Sequence, residues 1–128
     1  MSWLTLLLCF KIIFTLATCA APLLLLPGPR LARLYRVGAD AVPLARLYGV
    51  ALLALLVGYA SGIGPAEAGS FPGGVVAMGI ASNAGATAVL LATGAWRRAR
   101  ALTLAFGGIA VALAASCAAP GAALRAAW

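Results

Sequence analysis

A chain of 128 residues with 65% hydrophobic residues, only 9% charged residues and a mean hydropathy of +1.10 lies outside the composition of soluble domains, of which about a quarter is charged. This excludes a water-soluble domain, and the short connections between the apolar stretches leave no room for an extramembrane catalytic module. The net charge of +7 would suggest nucleic acid in a soluble protein; here it sits in two short connections, where it determines topology first.

Four apolar stretches, at 4–26, 41–63, 74–95 and 99–119, occupy most of the chain. Each supplies the roughly 20 residues of helix that a hydrocarbon core requires, and each is too continuous for a barrel strand. The expected fold is all-α: one domain over 1–128, an integral membrane four-helix bundle running up-down-up-down.

The first stretch is about 23 residues long, lacks a basic leading region, and runs into Pro27-Gly28-Pro29-Arg30 rather than a small-x-small cleavage site. It reads as a retained span. At helical spacing Lys11, Thr15, Thr18 and Pro22 fall on one face, and Pro22 deprives the Thr18 carbonyl of its usual partner. Lys11 lies about 10 Å from the outer end, at the helical rise per residue. Such a charge faces a bundle interior, faces a water-filled cavity, or snorkels to the interface.

In the first connection Pro29 suits a helix start and Gly38 a helix end, while Arg30, Arg33 and Arg36 recur opposite Leu31, Leu34 and Tyr35. A short amphipathic helix on the inner surface is expected. It would anchor to anionic lipid, at about 1 kcal/mol per arginine, or dock an acidic partner. Asp40 then suits the N-cap of the second span, with Pro43 in its first turn. Arg46 lies near enough to the inner surface to snorkel, pair with Asp40, or meet a phosphate or carboxylate. Tyr48 and Tyr59 share a helical face, for which core packing is the plain reading.

The outer connection at 61–73 is a turn holding Glu67, the only acid besides Asp40. The third span carries Gly79, Asn83 and Thr87 at helical spacing, with Asn83 about 13 Å from the outer end, close to the depth of Lys11. Small residues four apart, Ala45 with Gly49, Gly58 with Gly62 and Gly108 with Ala112, mark expected helix contacts.

Arg30, Arg33 and Arg36 join the first two spans, and Arg97, Arg98 and Arg100 the last two. The positive-inside rule places both clusters in the cytoplasm and both termini outside. Trp3 and Trp128 then fall at the outer interface and Trp96 at the inner one, as an aromatic belt requires. Abundant Ala, Leu, Gly and Arg beside a single Lys suggests a GC-rich genome, and hence a bacterial inner membrane.

The polar residues of the spans give one candidate site: Lys11 facing Asn83 across an outward-leaning cavity, Thr15 and Thr87 below, Ser82 nearby and Tyr59 near the mouth. The competing reading gives Asn83 and the threonines only helix–helix hydrogen bonds of about 0.6 kcal/mol each, and gives Lys11 either Glu67 as partner or a snorkelling path. A second candidate, for anionic lipid or a protein partner, is Arg30, Arg33, Arg36 and Arg46 at the inner surface.

Absent residues exclude more. No histidine is present, which removes the usual imidazole ligand for haem or zinc and the commonest general base. No acid pair lies in the spans for paired-carboxylate proton exchange. Cys9, Cys19 and Cys117 form no CxxC pair, which argues against four-helix thiol oxidoreductases. Cys9 and Cys19 are about 15 Å apart along the helix and cannot bridge; Cys9 and Cys117 are within reach only if their helices touch. No metal or other cofactor is expected, and phosphate-binding glycine loops are missing.

Four short-looped spans, with Arg46-Leu47-Tyr48-Gly49-Val50-Ala51-Leu52-Leu53-Ala54-Leu55 opening the second, resemble the DoxX-like small bacterial membrane proteins. That resemblance implies a four-helix bundle and little about activity. The small multidrug transporters match less well, because Lys11 stands where an acid is expected in their first helix. The small fluoride channels share size and span number but not their phenylalanine-bearing third-helix pattern around Asn83. The expected function is non-enzymatic: an accessory subunit of a membrane complex, or a binder of a lipid-like ligand in a polar-lined core. The alternative is a homo-oligomeric transporter or channel for a small solute. Expected partners are membrane lipids and partner subunits or further copies of the protein, not nucleic acid.

Overall fold

The computed structural model describes residues 1–127. Four segments are long and apolar enough to cross a membrane: Trp3–Leu25, Ala39–Glu67, Gly73–Ala92 and Arg100–Ala118. Among the described residues there are no strands, only an isolated antiparallel bridge between Ser2 and Ala126. Trp128, expected at the outer interface, lies outside the described residues.

The outward faces of these segments are apolar: Ile13, Leu25, Leu44, Val57, Leu104 and Val111 are all exposed. Large exposed apolar side chains in this number suit hydrocarbon and not water. Each long helix hides one narrow stripe instead, such as Gly49, Leu52, Leu56 and Tyr59 in the second.

The protein forms two compact units, Cys9–Ala60 and the pair Met1–Leu8 with Ser61–Trp128. Helix α1 (Trp3–Thr15), which enters the first unit at Cys9, gives way there to a π-helical turn at Leu16–Ala20 and then to α2 (Ala21–Leu25). Pro22 supplies the reason. It has no N–H for the Thr18 carbonyl and its ring crowds that carbonyl, so the ladder widens upstream and the Ala21 N–H reaches back to Leu16. Helix α3 (Gly28–Tyr35) follows, with Pro29 in its first turn and Leu31 wholly buried.

Three local expectations change here. Helix α3 stops not at Gly38 but at Arg36, which itself takes the left-handed conformation, φ 55°. Gly38 is extended and makes room for the Asp40 carboxylate, which a Cβ at residue 38 would strike. Asp40 is not the N-cap of α4 (Val42–Ser61), because it lies within a 3-10 turn at Ala39–Ala41. The tyrosines of α4 also part company: Tyr59 is 1% exposed and Tyr48 57%. At that level Gly49 meets α2, with its missing Cβ placed 2.9 Å from Leu24 Cγ and 3.0 Å from Leu23 Cβ, and Tyr48 turns outward.

In the second unit α5 (Ile63–Glu67) precedes a hairpin of α6 (Gly73–Ala92) and α7 (Arg100–Ala118), and α8 (Pro120–Ala123) follows. The α6–α7 turn uses Gly94 at φ 71° and a 3-10 turn at Ala95–Arg97. Gly62 permits close approach of Val75 and Leu8, 3.0 and 3.3 Å from where its Cβ would be. Gly108 was expected at such a contact but faces open space; its neighbour Gly107 lies against Thr87 instead. The two ends of the protein pair: Trp3 N–H donates to the Arg125 carbonyl at 3.2 Å and Ala127 N–H to the Met1 carbonyl at 3.0 Å.

Candidate functional site

Within the first unit the polar stripe of the first span meets the second span. Lys11 is 5% exposed and Thr15, one turn on, 2%. The Lys11 ammonium lies 5.9 Å from the centre of the Tyr59 ring, at the outer limit of cation–π attraction. Lys11 and Tyr59 are therefore brought together, with Thr15 one turn on from Lys11 and the π-helical turn starting directly after it.

Thr15 is the informative member. In a helix a threonine hydroxyl satisfies itself on the carbonyl four residues back, and Thr18, Thr87, Thr93 and Thr103 all do so, at 2.7 to 3.0 Å. Thr15 does not, and its buried Oγ1 has no partner. An unmade hydrogen bond of this kind costs about 1–3 kcal/mol. Beside it stands an ammonium that can only donate, whereas a hydroxyl donates and accepts. The pair therefore suits a polar head that is anionic or rich in acceptor oxygens.

The remaining expected residues belong to the second unit. Asn83 is buried; its Nδ2 donates to the Gly79 carbonyl at 2.7 Å and to Ser82 Oγ at 3.4 Å. Ser82 Oγ donates to the same Gly79 carbonyl at 3.2 Å, and Thr87 Oγ1 to the Asn83 carbonyl at 2.8 Å. Asn83, Ser82 and Thr87 thus form a ladder along α6.

Of the arginines expected at the inner surface, Arg30, Arg33 and Arg36 line one open groove with Leu26 and Leu34. Arg46 is held differently. Its Nη1 donates to the Leu24 carbonyl and its Nη2 to the Leu26 carbonyl at 3.0 Å. These are among the last carbonyls of the first span, which have no partner in the helix itself, so the guanidinium reaches over from α4 and caps that helix end.

Glu67 is the polar centre that sequence reasoning missed. Offered by the sequence as a partner for Lys11, it instead accepts the Ser2 N–H at 2.8 Å and the Thr5 hydroxyl at 2.6 Å, and lies 3.6 Å from the Met1 amino nitrogen. Ser2 Oγ in turn accepts the Thr5 N–H at 3.1 Å. The result is a helix N-cap completed by an acid 65 residues away. The local signal was Ser2 ahead of an apolar run; nothing local pointed to Glu67.

Cys9, Cys19 and Cys117 are free thiols. Among the described residues no group of His, Cys, Asp and Glu could hold a metal ion. No protein-family model, no curated protein and no solved structure matches this sequence.

Proposed function

We propose that this protein is a non-enzymatic multi-pass component of a bacterial inner membrane that binds a lipid-like amphiphile by its polar head at Lys11, Thr15 and Tyr59. The observation that carries the reading is the Thr15 hydroxyl, buried and unpartnered one turn from a buried ammonium. The apolar faces that the first two spans expose, with Ile13, Leu44 and Val57 among them, suit a hydrophobic tail. The inner-membrane orientation, with both termini outside, rests on the two arginine clusters. Placement among the DoxX-like proteins rests on the four spans and the segment 46–55.

The test is native mass spectrometry of protein gently extracted from its own membrane, for wild type, Lys11→Met and Thr15→Val. A reproducible extra mass on the wild-type protein, reduced in both variants, is expected. Thr15→Val is the sharper variant, since it removes an unsatisfied buried group and leaves the empty protein no less stable. An extra mass retained in full by both variants overturns the site. Release of the bare protein with other subunits at fixed stoichiometry overturns ligand binding and makes it an accessory subunit.

A second reading, a small-solute transporter or channel, draws on the π-helical turn at Leu16–Ala20, since irregular backbone at membrane depth is tolerated where it lines a cavity. It requires solute flux in liposomes that Lys11→Leu abolishes.

A further inference from the structure

We infer that the groove at the end of the first span binds the phosphodiester headgroup of an anionic phospholipid. It has a volume of about 490 Å³ and is lined by Leu26, Arg30, Arg33, Leu34 and Arg36. This site is separate from the one proposed around Lys11, and either can fail without the other.

Three features carry the inference. Arginines spaced by three in a continuing α-helix step backwards by about 60° each, so the third would stand about 120° from the first. Helix α3 does not continue. It ends at Tyr35, and Arg36 adopts φ 55°, a conformation unfavourable for residues other than glycine. Arg36 thereby joins Arg30 and Arg33 in one groove.

Next, the convergence is uncompensated. The protein has two acids; Glu67 is held by Ser2 and Thr5, and Asp40 lies against Gly38. Among the described residues no carboxylate pairs with Arg30, Arg33 or Arg36. Three like charges drawn together without an acid repel one another unless an anion stands between them, and planar guanidiniums match phosphate oxygens.

Position and lining then select the source of the phosphate. The first span ends at Leu25, one residue before Leu26, so the groove opens at interface depth. Leu26 and the exposed Leu34 add apolar walls suited to a glycerol backbone and the start of its acyl tails. The other basic cluster is built otherwise: the Arg97 and Arg100 guanidiniums lie 6.0 and 5.9 Å from the Trp96 ring centre. It is the internal control.

The experiment titrates full-length, delipidated protein in neutral detergent with phosphatidylglycerol or phosphatidylcholine and counts bound lipids by native mass spectrometry. Phosphatidylglycerol is expected to bind and phosphatidylcholine not. The variant Arg30→Gln/Arg33→Gln/Arg36→Gln should bind about a hundredfold more weakly, at roughly fivefold per arginine. The variant Arg30→Lys/Arg33→Lys/Arg36→Lys keeps charge and topology signals, and should still lose several-fold because the planar forks are gone. Arg97→Gln/Arg98→Gln/Arg100→Gln should bind as wild type does. Equal loss in the two Gln triples overturns a built site in favour of general charge attraction. Lys variants that bind as wild type does overturn guanidinium recognition. Inorganic phosphate that displaces the lipid at millimolar concentration overturns the lipid in favour of a small-anion site.

Discussion

Gly49→Ala tests whether the first unit is built on backbone approach. The added Cβ would stand 2.9 Å from Leu24 Cγ, 3.0 Å from Leu23 Cβ and 3.0 Å from Leu24 Cδ2. Carbon atoms rest at about 3.5–4.0 Å, so the deficit is roughly 0.5–1 Å. Leu24 can rotate its side chain away, but Leu23 Cβ is fixed to its backbone. The helices must therefore separate, at the about 1–3 kcal/mol typical of overpacking. Separation also strains the fork of Arg46, three residues before Gly49, whose Nη2 lies 3.0 Å from the Leu26 carbonyl. The assay is reversible unfolding in mixed micelles, followed by circular dichroism, with Gly85→Ala and Gly108→Ala as controls. Neither control position has an atom within 4 Å of the added Cβ. Both should be neutral or stabilised by up to about 1 kcal/mol through helix propensity. If Gly49→Ala unfolds with the controls, the close approach of α2 and α4 is not what holds this unit together.

Other outcomes follow from single contacts. Arg46→Leu strips two terminal carbonyls of their donors and should destabilise by about 1–3 kcal/mol; Arg46→Lys, able to reach fewer acceptors, should fall between, and equal stability of all three proteins would refute the cap. Glu67→Gln keeps the side-chain shape and removes its charge, so amide exchange should quicken in residues 1–8 and 61–70 and stay unchanged in residues 28–46. A change spread evenly over the protein would count against a local cap. For orientation, Ser70→Cys in a background without other cysteines should react with a membrane-impermeant maleimide on intact spheroplasts, and Ala39→Cys only after lysis; the reverse pattern would invert the arginine argument.

The spans were legible because apolar content adds along the sequence and no tertiary partner is needed to read it. All four spanning segments overlap the expected ones, and their differences lie at the ends. What could not be read were choices between neighbours. Gly107, not Gly108, lies against Thr87, and Arg36, not Gly38, takes the left-handed turn. Adjacent residues offer the same composition to a window, and only packing separates them. Contacts between distant residues were equally hidden. Nothing local links Glu67 to Ser2, or Arg46 to the Leu24 carbonyl, although a helix that stops at Leu25, ahead of Pro27, leaves carbonyls that some donor must satisfy.

The candidate site was half legible, and the missing half is the more useful one. Lys11 stood out because charge is rare in a span, but a buried lysine is consistent with a ligand, a structural partner or a snorkelling path. Thr15 looked ordinary, because a helical threonine is the polar residue best able to satisfy itself. The same fact gives its orphaned hydroxyl weight. Thr18, three residues along the same span, back-bonds to Phe14 at 2.7 Å, while Thr15 leaves that option unused. A buried group that forgoes a bond within easy reach is what the proposed binding role requires. Its neighbour on the same face is an ammonium, which is why the proposed ligand is one whose head carries acceptor oxygens. This is why Thr15→Val, which should leave the empty fold no weaker, separates a binding role from a packing role more cleanly than any change at Lys11.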